Sequence, residues 1–160
     1  MTDYDKISQA QAVIEELLKI MGIPARVEFE ESITKGLIFN ISSPDSYLLI
    51  GRQGATLHAL QIIIQALVAR RLVRQSADEQ PFWFSLDVDD YKRKREWYLK
   101  ETAKGAVDQL KRTGRPQALE PMPNYERRFV HAYLQEHHPE VESSSVGNEP
   151  HRKIVIRTKR

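Results

Sequence analysis

Two glycines three residues apart, in Gly51-Arg52-Gln53-Gly54, separate an apolar strand-like segment, Tyr47-Leu-Leu-Ile50, from a long apolar helical pattern at about residues 55–74. Glycine lets the backbone take conformations closed to other residues and lets a ligand approach the main chain. At a helix N-terminus such a loop also offers backbone N–H groups and the positive end of the helix dipole, which together suit a phosphate. Arg52 adds a mobile positive charge at the loop tip. The spacing differs from the nucleotide-binding glycine loops. A dinucleotide fold needs G-x-G-x-x-G after its first strand, and a triphosphate loop needs G-x-x-x-x-G-K-[ST]. Taken alone, G-x-x-G is a tight turn ahead of a helix, so its meaning depends on the surrounding elements.

Those elements follow from periodicity. Ile7, Ala10, Ile14, Leu17, Leu18 and Met21 recur at helical steps over residues 6–21, and Gly22 and Pro24 end the run. Val27 and Phe29 alternate with charged residues, and Leu37, Phe39 and Ile41 share a face of a second strand. The short connection over residues 31–35 makes these a hairpin. The helix after the loop is expected to carry Leu57, Leu60, Ile64, Leu67 and Arg71 along one stripe, broadened by Ile63 and Val68, and to be the best-buried element of this half. After a break over residues 75–81, Phe82, Phe84, Leu86 and Val88 alternate as a third strand. Asp89 or Asp90 can cap the helix that follows, about residues 91–111. Tyr91, Tyr98, Thr102, Ala106 and Leu110 suit its packed side; Trp97 is expected to pack between domains or to serve as an exposed stacking platform, and Trp83, turned away from Phe82 and Phe84, to be buried by a helix over that sheet face or by a subunit contact. A short extended piece over 117–120, a helix over 125–136, a strand over 141–146 and an alternating last strand over 152–157 complete the chain, with a basic tail over 158–160.

Hydrophobic residues make up 41% and charged residues 29%, which is globular composition rather than that of a disordered chain. No cysteine is present, which excludes disulfides, thiolate chemistry and cysteine-held metals. The apolar stretch near Leu57–Val73 is interrupted by His58, Gln61, Gln65, Arg70 and Arg71, and falls short of about 18 uninterrupted apolar residues, so membrane insertion is not expected. No secretion signal is seen at the start, and a cytoplasmic location is the expectation. The net charge of +2 is uneven. Residues 1–80 hold 8 basic and 10 acidic side chains and residues 81–160 hold 16 and 12, which directs the search for a polyanion contact to the second half.

The order helix, hairpin, G-x-x-G, long helix, strand is that of a type II K-homology (KH) domain, whose loop clamps the backbone of single-stranded nucleic acid. The segment Ile50-Gly-Arg-Gln-Gly-Ala-Thr-Leu-His-Ala-Leu60 with Leu86-Asp-Val-Asp-Asp-Tyr-Lys-Arg-Lys-Arg95 resembles the KH part of the Jag (SpoIIIJ-associated) family of bacterial proteins. Pro121-Met-Pro-Asn-Tyr-Glu-Arg-Arg-Phe-Val-His131 resembles the Arg-x3-His signature of that family's second domain, and Ser145-Val-Gly-Asn-Glu-Pro-His-Arg152 its closing loop. The resemblance covers about residues 6–157. It implies an α+β chain: a type II KH domain over 1–90 with α-β-β-α-α-β-like order, then a connecting helix and a small α/β Arg-x3-His domain over 91–160. It implies binding of single-stranded RNA, with single-stranded DNA the second candidate, no catalysis and no cofactor. A post-transcriptional regulator or RNA chaperone fits. Many Jag proteins carry a further N-terminal domain, which this sequence is expected to lack, and a second basic residue in the loop where Gln53 stands.

The candidate contacts are Gly51, Arg52, Gln53, Gly54 and His58 around the loop, and Arg127, Arg128, His131, Ser145, Gly147 and Arg152 in the second half. Arg127 and His131 are four apart on a helix, so they share a face and can present a guanidinium and an imidazole to one phosphate-bearing strand. Spacing alone equally allows Arg127 to pair with Glu126 or Glu120 and His131 to be a surface residue. Ser145 and Gly147 supply a hydroxyl and backbone N–H contacts or simply make a turn. The enzyme readings are poorer. Asp87 and Asp89 share a strand face and Asp90 follows, a grouping that could hold Mg²⁺, but helix capping accounts for Asp89 or Asp90 more simply. The adjacent His137 and His138 diverge on a helix, so no metal is expected there either. The rival class is an interaction scaffold that docks a second KH protein or a ribosomal or membrane-associated partner through exposed Trp83 and Trp97.

Overall fold

The computed structural model describes residues 2–32, 36–74 and 82–159. The hairpin tip, the break after the long helix and the end of the basic tail lie outside the described residues. The chain divides into two compact units, residues 1–92 and 93–160, each with its own hydrophobic core.

In the first unit, α1 (Asp3–Ile20) leads into β1 (Arg26–Ser32) and β2 (Gly36–Ser42), followed by α2 (Ser46–Ile50), α3 (Ala55–Val73) and β3 (Ser85–Val88). This is the expected α-β-β-α-α-β order. Thr2 and Asp5 close a capping box on α1, each side chain taking the other's backbone N–H. β1 and β2 pair antiparallel with Phe29 opposite Phe39, and β2 pairs parallel with β3 with Phe39 opposite Leu86. Phe39, Ile41, Leu86 and Val88 are fully buried beneath Ile14 and Ile64 from α1 and α3.

Three expectations for this unit are corrected. Tyr47–Ile50 is a turn of helix, not a strand: Leu48 N–H donates back to Asp45 O and Gly51 N–H to Tyr47 O, both at 3.0 Å. The buried stripe of α3 is Leu57, Leu60, Ile64, Val68 and Leu72, whereas Ile63 is 50% and Leu67 40% exposed. Four-residue steps carry the stripe to Val68 and leave Leu67 on the flank. β3 begins at Ser85 rather than Phe82, and its pairing with β2 runs from Ser85 opposite Ile38 to Val88 opposite Ile41. β3 is an edge strand, and α3 covers part of its open side: Leu86 N–H donates to Gln61 Oε1 at 3.1 Å and Gln65 Nε2 donates to Phe84 O at 2.9 Å. The stretch Ser46–Val73 is long and apolar enough to cross a membrane by length and composition. In this fold it turns at Gly51–Gly54, and its buried leucines, Ile64 and Val68 belong to the core.

α4 (Tyr91–Thr113) starts in the first unit and runs into the second. Asp87 Oδ1 accepts from the Lys92 amide at 3.2 Å, so this carboxylate takes up a first-turn donor of the helix. The buried side of α4 is Leu99, Ala103, Val107 and Leu110, one residue on from the expected stripe for most of its length, and Tyr98 is 45% exposed. β4 (Gln117–Ala118), α5 (Asn124–His137), β5 (Val141–Val146) and β6 (Lys153–Thr158) complete this unit. β6 is central, antiparallel to both β4 and β5, and its Ile154 and Ile156 are buried against Val130 and Leu134 of α5. Trp83 and Trp97 are 74% and 65% exposed.

Candidate nucleic-acid interface

In the first unit the site is the connection between α2 and α3. Gly51 has φ +69° and ψ −173°, Arg52–Gly54 form one 3₁₀ turn, and Gly54 sits at φ +78°, ψ 11° as the N-cap of α3. Gly54 lies in the left-handed region, where a Cβ costs about 1–2 kcal/mol, and Gly51 in an extended positive-φ region that is essentially reserved for glycine. Gly51 has a second constraint: a Cβ there would overlap the Thr56 side chain, 2.7 Å from its Cβ. The loop backbone therefore presses against the first turn of α3, which directs the loop main chain toward the helix N-terminus. Gln53 takes a left-handed conformation at φ +52°, a further sign that the turn is tightly specified. Arg52 and His58 are exposed, Gln53 is half-buried and Gly54 is buried. All five residues that the sequence placed here lie in this connection or the first turn of α3, with Arg52 and His58 exposed.

In the second unit, α5 and the edge of β5 make the site. His131 bridges two serines: its Nδ1 lies 2.7 Å from Ser143 Oγ and its Nε2 2.9 Å from Ser145 Oγ. Ser143 was not among the sequence candidates. The available signal was the i, i+2 spacing of Ser143 and Ser145, which puts both hydroxyls on one face of β5. Burial first, and the Arg127 charge second, hold the His131 imidazole below its ordinary pKa of 6.5. It is therefore neutral at pH 7, with one ring nitrogen donating and the other accepting.

That depression has a sign. The unfolded chain takes up a proton on this histidine at a higher pH than the folded one. The stability it contributes is complete above pH 6.5 and is lost as pH falls below that value through the lower folded pKa. The thermal midpoint of the His131→Gln variant is accordingly expected to fall less steeply than wild type between about pH 7 and 5. Parallel pH profiles for the two proteins would remove His131 from this role.

Arg127 is 5% exposed. Its guanidinium donates to Met122 O and to Glu149 Oε1, both at 2.6 Å. Its carboxylate partner is Glu149, not Glu126 or Glu120. Arg127 thus ties the start of α5 to the loop that carries Gly147 and Arg152. Glu126 is 2% exposed and is gripped by Arg95, whose Nε and Nη2 donate to its two carboxylate oxygens at 2.8 and 2.9 Å. Arg128 and Gly147 are exposed; Arg152 is half-buried and donates to Gly147 O at 3.2 Å. His131 and Ser145 are in direct contact, Gly147 and Arg152 are linked, and Arg128 projects separately from the outer side of α5. Among the described residues, no three His, Asp or Glu side chains come together in a way that could hold a metal ion.

The family model of the Arg-x3-His (R-3-H) domain matches residues 98–158. RNA-binding protein KhpB of Clostridium symbiosum is 35% identical over 140 residues, covering 88% of this chain and 60% of that protein. KhpB of Lactiplantibacillus plantarum is 31% identical over 140 residues, covering 88% of this chain and 41% of its own length. KhpB of Bacillus subtilis is 30% identical over 157 residues, 98% of this chain and 72% of that protein. The chain thus spans about half the length of the first two relatives and nearly three quarters of the third. With the α-β-β-α-α-β unit, the G-x-x-G turn and the Arg-x3-His helix all in place, the chain belongs to the KhpB, or Jag, family of RNA-binding proteins.

Proposed function

We propose that the chain binds single-stranded nucleic acid, RNA foremost, and does so without catalysing a reaction. The observation that carries this is the conformation of Gly51–Gly54, two positive-φ glycines that set a close-approach backbone against a helix N-terminus with Arg52 exposed beside it. Gly51, Arg52, Gln53, Gly54 and His58 form the first contact, on phosphate and sugar. Arg128, His131, Ser145, Gly147 and Arg152 form the second, with Arg127 holding the loop that presents the last two. The relatives' name supports RNA as the ligand. Two sites on one chain raise the effective concentration of each for a common strand. A cytoplasmic role in post-transcriptional regulation or RNA chaperoning fits this reading.

A titration tests it. Labelled single-stranded RNA, single-stranded DNA and a matched duplex are compared by anisotropy at about 50 and 200 mM salt. Single strands are expected to bind more tightly than duplex, RNA at least as tightly as DNA, and the affinity to fall with salt. Equal binding of all three reduces the protein to a generic polycation binder, and no binding ends the reading.

A second reading is favoured by one observation. Ile62, Ile63, Leu67 and Val73 leave an apolar flank of α3 at 40–66% exposure. This suits a protein partner such as a second KH protein or a ribosome-associated one.

A further inference from the structure

α4 carries a surface that neither contact above uses. At 3.6 residues per turn, Arg93, Trp97, Lys100 and Lys104 fall within an arc of about 60° and span about 16 Å of the helix. All four are exposed, Trp97 to 65%. Residues 93–104 contain five basic and two acidic side chains, Glu96 and Glu101. One of the five, Arg95, lies away from this flank, bound to Glu126 and placed over the Tyr98 ring at 5.1 Å. A helix that needed only solvation would be served by Lys and Glu alone. A large, mostly exposed indole flanked by three cations has another use, because every unpaired base has a π-face to stack on it and a phosphate to meet the charges.

The flank also continues onto α5. Lys100 Nζ lies 5.7 Å from the Phe129 ring centroid, and Phe129 adjoins the exposed Arg128. Positions 125, 128 and 131 form a ridge of three-residue steps across the outer side of α5. Of these, Arg128 and Tyr125 are exposed, Tyr125 to 45%.

We infer that the flank of α4 bearing Arg93, Trp97, Lys100 and Lys104 is a further binding surface for single-stranded nucleic acid, on which Trp97 stacks a base while the three cations meet flanking phosphates. This rests on the proposed nucleic-acid binding and extends it beyond the G-x-x-G turn and the Arg-x3-His helix.

The chain has two tryptophans, so Trp83→Phe leaves Trp97 as the sole indole reporter. Trp83 is 74% exposed and its replacement touches no core. Oligouridylate is titrated into this full-length variant while binding is followed independently by anisotropy of a labelled copy. Trp97 emission is expected to quench in step with binding, and a matched RNA duplex to leave it unchanged because its bases are already stacked. Trp97→Ala is expected to weaken oligouridylate binding about 5- to 150-fold, and Trp97→Phe to restore most of it. Lys100→Ala with Lys104→Ala is expected to lower the slope of log affinity against log salt by about 1.4. If oligouridylate binds while Trp97 emission and the Trp97→Ala affinity stay at their starting values, the surface is not used and the proposed function survives. Equal quenching by duplex overturns stacking. If no single strand binds the unmodified protein, both this inference and the proposed function fall.

Discussion

Gly54→Asp is expected to leave the protein folded and to weaken its hold on single-stranded RNA by at least about tenfold, which corresponds to about 1.4 kcal/mol. Gly54 is the N-cap of α3 and sits in the left-handed region. Asp and Asn are the residues that best tolerate that conformation after glycine, so α3 should persist. An aspartate there places a fixed carboxylate where the helix N-terminus would otherwise meet a phosphate, and the two anions compete for the same amides. Gly54→Asn adds nearly the same volume to a buried position without the charge. The difference between the two variants isolates electrostatics from bulk. That difference should be large at about 50 mM salt and shrink at about 200 mM, as screening shortens the reach of the carboxylate. Affinities read by anisotropy, with hydrogen exchange on α3 as the control for folding, decide it. Equal binding by Asp and Asn variants at low salt would mean that no phosphate lies at this turn.

Glu126→Ala is expected to destabilise the second unit by about 3 kcal/mol, the lower end of what is seen when one member of a buried ion pair is removed. The lower end applies because Arg95 keeps 19% of its side chain exposed and can recover some water, whereas Glu126 keeps 2%. A unit spanning residues 93–160 has in total only about 3–10 kcal/mol of stability. The loss should therefore appear as fast exchange of the α5 amides around Val130 and Leu134 while the amides of α1 and α3 stay protected. Replacing both partners, Arg95→Met with Glu126→Leu, should recover most of the stability, since a buried fork and its carboxylate can give way to apolar groups of similar size. A single Glu126→Ala variant within about 0.5 kcal/mol of wild type would show that the pair is a surface-like contact.

The elements with unmistakable period were legible in the sequence, and those whose identity depends on a distant partner were not. α1 and α5 are long and amphipathic and α3 is long and apolar on most of its faces, and their existence follows from apolar spacing. Tyr47–Ile50 is an apolar run of four residues, a length at which strand and helix periods cannot be separated. The buried side of α4 was placed one residue early because Tyr91 and Tyr98 look like core residues, while the packing is made by Leu99, Ala103 and Val107. At the site, the G-x-x-G turn is local and its five residues were readable together. The second contact is not local. Ser143 reaches His131 across 12 residues, Glu149 reaches Arg127 across 22, and Arg95 reaches Glu126 across 31. Charge and spacing suggest that such side chains want partners, but the tertiary fold chooses among the available carboxylates.

The position of β6 between β4 and β5 bears on how the protein is made. Residues 117–118 and 141–146 leave the ribosome before their shared partner at 153–158 exists, so a nascent chain ending short of Lys153 has no sheet in this unit at all. The His131 bridge depends on Ser143 and Ser145 being held in that sheet. This half of the molecule must therefore acquire its binding surface late in synthesis, after residues 85–88, the last strand of the upstream sheet, have already been made. A stalled or truncated product could carry a formed G-x-x-G turn and still lack its second grip.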